Sequence, residues 1–319
     1  MFVRVCFATG LILCGLSSLH ATEPKGITPD DPDFLVQGDY VGEVTQPAGK
    51  QKLGVQVIAL GKGNFHAVWR NGGLPGDGWD KAEATPHDGE TVEGVTTFEA
   101  GEYTTKIKDG VMVVTAQRNV VLGELKRTVR QSPTLGAKPP KGAIVLFDGK
   151  NADHFENGRM TDDGLLKQGA TSKFKHQSGT LHIEFQIPYG PLVPSRGNSG
   201  CYLQSRYEVQ MLDSFGLKPH NHECGGIPSI KEPDINMSFP PLSWQTYDVD
   251  FTAAQFINGQ KTKNGRMTVR HNVVVVHDNV ELPHATTSSP LPEGPEPGPI
   301  NLQDHNSEVR YRNVWFVEK

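Results

Sequence analysis

Between Asn198 and Asp213 the sequence sets amide, phenolic and acidic side chains at a spacing that can do chemistry. Tyr202, Gln204, Glu208 and Gln210 alternate with Cys201, Leu203, Tyr207, Val209 and Met211, the period-two pattern of strands with one apolar and one polar face. Asp213 follows on the same stretch. Strict alternation would put it on the apolar side unless a bulge re-aims it, as bulges do beside active sites. Two carboxylates in one site can serve as general acid and base. Amides and aromatic rings around them suit a ligand with many hydroxyls and exposed C–H faces, which is the chemistry of a sugar. His182, Glu184 and Gln186 alternate in the same way with Leu181, Ile183, Phe185 and Ile187, so both stretches are expected to contribute to one wet face of a β-sandwich.

Other groups invite a chemical reading and have a structural one beside it. His220-Asn-His-Glu-Cys224 contains transition-metal ligand types, although ligands so close together on a loop rarely all reach one ion. A hard cation on Glu184, Glu208 or Asp213 is the other metal option, so no cofactor is certain and a divalent cation stays open. Trp69 and Trp79 flank the block Asn71-Gly-Gly-Leu-Pro-Gly-Asp-Gly78, where they could stack on a sugar or plug a small core. Cys201 and Cys224 could pair as a disulfide in an exported protein or lie buried as thiols.

The elements that must position these residues are short strands. The chain has 319 residues with 35 Gly and 23 Pro and no long helical periodicity, which points to an all-β protein. Residues 1–21 carry one charge, Arg4, then an apolar run and Ala21. That reads as a signal peptide too short for a membrane span, placing the protein in the periplasm or outside the cell. Cys14 follows Leu13, which argues against a lipid anchor. Without the leader, 30 Lys and Arg face 36 Asp and Glu, a balance that offers no basic footprint for nucleic acid. Residues 22–33 read as a flexible mature terminus. Residues 34–131 read as a small β-domain of unknown role, with strands at Tyr40–Val44, Gly54–Leu60, Asn64–Trp69, Tyr103–Ile107, Val111–Thr115 and Leu125–Val129. Residues 132–142 are a Pro-rich linker, extended and semi-rigid. Residues 143–319 form the second domain, and Leu291–Pro299 within it is expected to be a loop. Nothing in the sequence indicates the oligomeric state.

The second domain resembles the bacterial 3-keto-disaccharide hydrolase family. The likeness runs from Lys141 to Lys319 through Asn198-Ser-Gly200, Arg206-Tyr-Glu-Val-Gln-Met-Leu-Asp-Ser214, Glu223-Cys-Gly-Gly226, Trp244-Gln-Thr-Tyr247, Thr268 to Asn272, Leu302-Gln-Asp-His305 and Val309-Arg-Tyr-Arg-Asn313. Pro228 and Val273 depart from the family pattern in loops. The resemblance implies a concanavalin A-like jelly roll and a carbohydrate substrate oxidised at C3. The ketone acidifies the C2 proton, so a base can remove it and expel the C1 substituent, and water then adds back. Glu208 is the first choice for base, Asp213 or Glu184 for acid or metal ligand, and His305 for proton shuttle. Arg310 would stabilise an enolate, while Asn198, Tyr202, Gln204 and Gln210 would hold hydroxyls.

Each role competes with a structural one. Glu208 could pair with an arginine, Asp213-Ser-Phe-Gly216 could be a capped turn, His305 could bond a loop carbonyl, and Arg310 and Arg312 could be solvated pairs. Two other functions remain. One is a non-catalytic carbohydrate-binding jelly roll. The other is a retaining glucanase, whose acidic triad the spacing of Glu208, Gln210 and Asp213 echoes with Gln in place of the middle acid. Double displacement needs two carboxyls about 5 Å apart.

Overall fold

The computed structural model describes residues 30–319. The expected leader, Cys14 within it and most of the 22–33 terminus therefore lie outside the described residues. The chain is already anchored at Asp33, which is buried and accepts the Gly63 N–H at 2.9 Å. Asp33 belongs to a single helical turn, α1 (Pro32–Val36), capped by the Asp31 side chain.

Eight strands follow: β1 (Gly38–Gln46), β2 (Gly49–Gly61), β3 (Asn64–Asn71), β4 (Thr85–Val92), β5 (Val95–Ala100), β6 (Tyr103–Lys108), β7 (Val111–Ala116) and β8 (Val120–Thr128). Each pairs antiparallel with the next, and β1 also pairs with β8, which closes an up-and-down barrel. Closure brings β1 and β8 so near that a Cβ on Gly42 would lie 2.1 Å from the Glu124 carbonyl, and one on Gly123 2.2 Å from that of Glu43. Only glycine fits at that join. Tyr40, Val55, Val57, Phe65, Ala67, Phe98, Ile107 and Met112 fill the interior. β4 and β5 were not expected. β4 reads Thr-Pro-His-Asp-Gly-Glu-Thr-Val and buries none of its residues fully, so it carries no apolar alternation to find.

The remaining strands are β9 (Ile144–Phe147), β10 (Phe155–Glu156), β11 (Leu166–Lys167), β12 (Ala170–His176), β13 (Gly179–Gln186), β14 (Ser199–Leu203), β15 (Tyr207–Met211), β16 (Trp244–Thr252), β17 (Gln255–Ile257), β18 (Gln260–Lys263), β19 (Gly265–His271), β20 (Val274–Leu282), β21 (Gly298–Leu302) and β22 (Arg310–Glu318). One sheet runs β10-β12-β21-β14-β15, and a second runs β11-β22-β13-β16-β19-β20 with β9 beside β22. Leu181, Ile183 and Phe185 of β13, Cys201 and Leu203 of β14, and Val209 and Met211 of β15 lie in one buried cluster between the sheets. This is the jelly-roll sandwich. Each Leu, Ile or Phe so buried contributes about 1.5–3 kcal/mol to holding the sheets together.

Cys201 and Cys224 are both buried as free thiols, which decides against a disulfide. Cys224 Sγ lies 3.1 Å from the Tyr247 hydroxyl, and burial pushes the Cys201 thiol up to about 12. The 132–142 segment is pinned along the second sheet. Ser132 meets the Thr246 hydroxyl at 2.6 Å, Thr134 donates to Asp248 at 2.8 Å, and the Ala137 carbonyl accepts from Asn313 at 2.9 Å. The barrel and sandwich touch through Arg130, which donates to Asp39 at 2.8 Å and stacks over Phe239 at 4.7 Å. They also touch at Gly216, where a Cβ would come 2.7 Å from Ile58.

Candidate active site

The polar residues expected on one wet face lie on two. In β13, β14 and β15 alike the odd-numbered residues point into the sandwich, so their even-numbered neighbours point out. The strands belong to different sheets, stacked about 10 Å apart. His182, Glu184 and Gln186 therefore face away on one side of the molecule, and Tyr202, Glu208 and Gln210 on the other. One strand's alternation shows which residues share a face, not which sheet the strand joins.

The first-sheet side holds a continuous polar row. Register sets Glu208 beside Tyr202, Tyr202 beside Asn301, and Asn301 beside Thr171. Four adjacent strands thus present a line about 14 Å long at the usual spacing between strands. The row is open at its β12 and β21 end, where Thr171 and Asn301 are half-buried, and closes towards Glu208, which is 3% exposed. Asn301 donates to Thr171 at 2.8 Å, and Gln303 donates to the Tyr202 hydroxyl at 3.1 Å. Tyr202 in turn donates to Glu208. The Gln210 carboxamide, nitrogen turned to the carboxylate, reaches Glu208 Oε1 at 2.9 Å and the Ser199 carbonyl at 3.2 Å. In that orientation the amide oxygen of Gln210 faces the Asn198 side chain at 3.3 Å. Gly200 makes the space for this carboxylate, since a Cβ there would fall 1.9 Å from Glu208 Oε1.

Electrostatics separate the two buried glutamates. Glu208 has neighbours that are neutral, and burial pushes it up to about 7 against the lowering effect of the Tyr202 hydrogen bond. Burial and the nearby Glu208 charge raise Tyr202 too, so it stays a protonated donor. For Glu184, burial is outweighed by hydrogen bonds from His182, Asn313, Arg312 and the Gly136 N–H, which hold it at about 2. Those contacts measure 2.7 Å to Arg312, 2.8 Å to Asn313 and 2.6 Å to Gly136. Held by these contacts, Glu184 latches the 132–142 segment on the other side of the molecule, which corrects its expected place beside Glu208.

The other expected residues divide similarly. Asn198, Tyr202 and Gln210 stand with Glu208. Gln204 does not: it lies in the β14–β15 turn at φ 52°, and its side chain bonds the His176 carbonyl at 3.1 Å and Gln177 at 2.9 Å. Asp213 lies past the end of β15, half-buried, where its Oδ1 accepts the Phe215 N–H at 3.3 Å. This is a turn contact, and burial pushes the carboxyl up to about 6. The Asp213 backbone N–H donates to the Arg196 carbonyl at 2.8 Å, with Arg196 and Gly197 both at positive φ. Arg310 bonds Gln168 at 3.1 Å and pairs with Glu308 at 3.1 Å. His305 is exposed on the loop after Gln303, and its ring makes no hydrogen bond or ion pair among the described residues.

Glu184, Glu208 and Asp213 occupy three separate surroundings. Among the described residues no three His, Cys, Asp or Glu side chains gather to hold a metal ion. Glu223 pairs instead with Arg196 at 2.7 Å, and Cys224 is buried. Thr171, Asn301 and Gln303 were missed as site residues. The signal for Asn301 was the alternation Gly298-Pro-Ile-Asn-Leu302, hidden because Leu291–Pro299 was read as loop.

The sandwich also matches known proteins. Residues 142–317 match the 3-keto-alpha-glucoside-1,2-lyase-like domain. The chain is similar to a solved structure of a candidate glycosyl hydrolase from Parabacteroides distasonis, at 32% identity over 56% of this chain and 85% of that chain, with a TM-score of 0.51. A second candidate glycosyl hydrolase of that organism is 16% identical over 60% of this chain and 98% of that chain, with a TM-score of 0.41, and nothing further rests on it. No curated protein matches the chain.

Proposed function

The chain belongs to the 3-keto-alpha-glucoside-1,2-lyase-like domain family, and on that premise we propose that its carbohydrate-active sandwich cleaves 3-keto-glycosides with Glu208 as the base. The observation that carries this reading is the contrast between the two buried glutamates. A carboxylate kept for structure is paired with cations, as Glu184 is with Arg312. Glu208 is surrounded by a phenol and an amide, and its value of about 7 makes both protonation states available near neutral pH.

In this reading the sugar lies along the row from Thr171 to Glu208. The Glu208 carboxylate takes the C2 proton, which the C3 ketone acidifies. Electrons pass into the C3 oxygen, where amide N–H groups of Asn301 and Gln303 receive the charge. The C1–O bond then breaks, and protonated Glu208 returns a proton to the leaving oxygen, giving the free aglycone and an unsaturated ketone. Water adds its oxygen at C1 and a proton returns to C2, so the sum is hydrolysis. Tyr202 holds Glu208 in place and donates to it throughout. Asp213, Glu184 and His305 take no part, because none is joined to Glu208. A retaining glucanase would need a second carboxylate about 5 Å away, and no other acid shares the contacts of Glu208.

The test uses purified protein with a 3-keto-disaccharide and its unoxidised parent in deuterated water. Absorbance of the enone and deuterium at C2 of the product are expected from the ketone only. Equal cleavage of the parent, or cleavage without deuterium at C2, would overturn the proposal.

A further inference from the structure

The barrel contributes to a second site that the chemistry at Glu208 does not use. A cavity of about 520 Å³ lies on the seam between the barrel and the sandwich, within the usual size for a small-molecule site. Its walls are mainly apolar, with Val68, Trp79 and Pro86 from the barrel and Leu217 and Ile235 from the sandwich. Trp79 also borders a neighbouring hollow of about 370 Å³ beside Val274 and Val275.

The charges in this cavity do not balance. Of the acids that line it, Glu83 is paired with Lys218 at 3.7 Å and Asp234 with Lys231 at 2.8 Å. His66 is paired with Asp88 at 2.7 Å. Two cations are left over. Lys81 makes no ion pair or hydrogen bond among the described residues. Arg70 is 7% exposed, stacks on the Trp79 ring at 4.4 Å, and donates from Nε to Gln56 at 3.1 Å. Neither of its Nη groups donates a hydrogen bond among the described residues. Asp39 acts on Arg70 by its charge and through Gln56, and it is ion-paired with Arg130 at 2.8 Å. Arg70 therefore presents to the cavity a stacked guanidinium whose two Nη groups have no protein partner among the described residues, and such a fork matches a carboxylate in two parallel hydrogen bonds.

We propose that this seam cavity binds a sugar bearing a carboxylate, a hexuronate unit, with the acid on Arg70 and Lys81 and a C–H face of the ring against Trp79. The choice of a sugar rests on the carbohydrate reading above, whereas the choice of an anion rests only on the charges of the cavity. The two can fail separately.

Methyl β-D-glucuronide and methyl β-D-glucoside differ at the carboxylate, and each is titrated calorimetrically into the full chain. The glucuronide should bind at least about tenfold more tightly at low salt, and the gap should narrow as salt screens the pair. Arg70→Met should abolish the preference. Lys81→Glu, an exposed change that leaves the fold alone, should cut it several-fold while cleavage of a 3-keto-disaccharide stays at its wild-type rate. Trp79→Ala should weaken both glycosides. Equal binding of the two, no binding of the glucuronide at 10-fold molar excess over millimolar protein, or an undiminished preference in Lys81→Glu would overturn the proposal. A glucuronide preference in a protein that does not cleave 3-keto-disaccharides would sink the catalytic reading and leave this site standing.

Discussion

Replacing Glu208 with Gln should abolish turnover and, above neutral pH, make the protein more stable. Burial lifts this carboxyl from 4.5 to about 7. Between those values an unfolded chain has given up a proton that the folded chain still holds, so raising the pH across that window favours unfolding. The penalty is absent below pH 4.5 and complete above pH 7. At about 1.4 kcal/mol per pH unit it amounts to about 3 kcal/mol, and at 3% exposure solvent does little to reduce it. Gln has no proton to lose and escapes it, while its amide can still meet Tyr202. Urea unfolding of wild type and Glu208→Gln at pH 4.5 and pH 8, run in parallel, isolates the effect because every other titrating group cancels in the difference. The two proteins should be nearly matched at pH 4.5, with the variant ahead by about 3 kcal/mol at pH 8. A difference that does not change with pH would show that Glu208 ionises like an ordinary surface carboxylate, and the basis for choosing it as a base near neutrality would be gone. Stabilisation with full turnover would refute the catalytic role and leave the burial argument intact.

Three further changes test the surroundings. Tyr202→Phe removes the hydrogen bond that lowers Glu208, so the acidic limb of the pH profile of kcat/KM should move up by about one unit, the worth of a bond to a charged group; an unmoved limb counts against the contact. Gly200→Ala puts a methyl where Glu208 Oε1 now lies, 1.9 Å from the new Cβ, and should cut kcat at least about 100-fold, as loss of a positioned general base does, while far-ultraviolet circular dichroism is unchanged. Glu184→Gln leaves Arg312 without its anion, while His182 keeps Asp248 at 2.6 Å, and should cost about 3 kcal/mol in urea unfolding, with kcat/KM of the folded enzyme within about twofold. Because Glu184 is held at about 2 in the fold, its stabilisation is present above pH 4.5 and fades as the pH falls towards 2. A large loss of kcat in Glu184→Gln would restore it to the active site.

The sequence by itself determined the strands that carry strong alternation, the side of each strand that is apolar, and the family. β13, β14 and β15 could be read because burial on one face imposes a period of two on side-chain polarity, and that is a local property. Glu208, Tyr202, Gln210 and Asn198 were legible for the same reason: they occupy one short hairpin, where neighbours in sequence are neighbours in space. Only the tertiary structure decided that Glu184 faces the opposite side of the molecule, since the sheet a strand joins depends on pairings with residues far along the chain. It also decided that Asn301 from β21 completes the row, that the eight barrel strands close through β1 and β8, and that the seam gathers Arg70, Lys81 and Trp79 against Leu217 and Ile235. Protonation follows the same rule. Glu184 and Glu208 are the same residue on similar strands, and what separates their affinity for a proton is that distant β22 brings Arg312 and Asn313 to Glu184, whereas Glu208 is buried with no cation beside it.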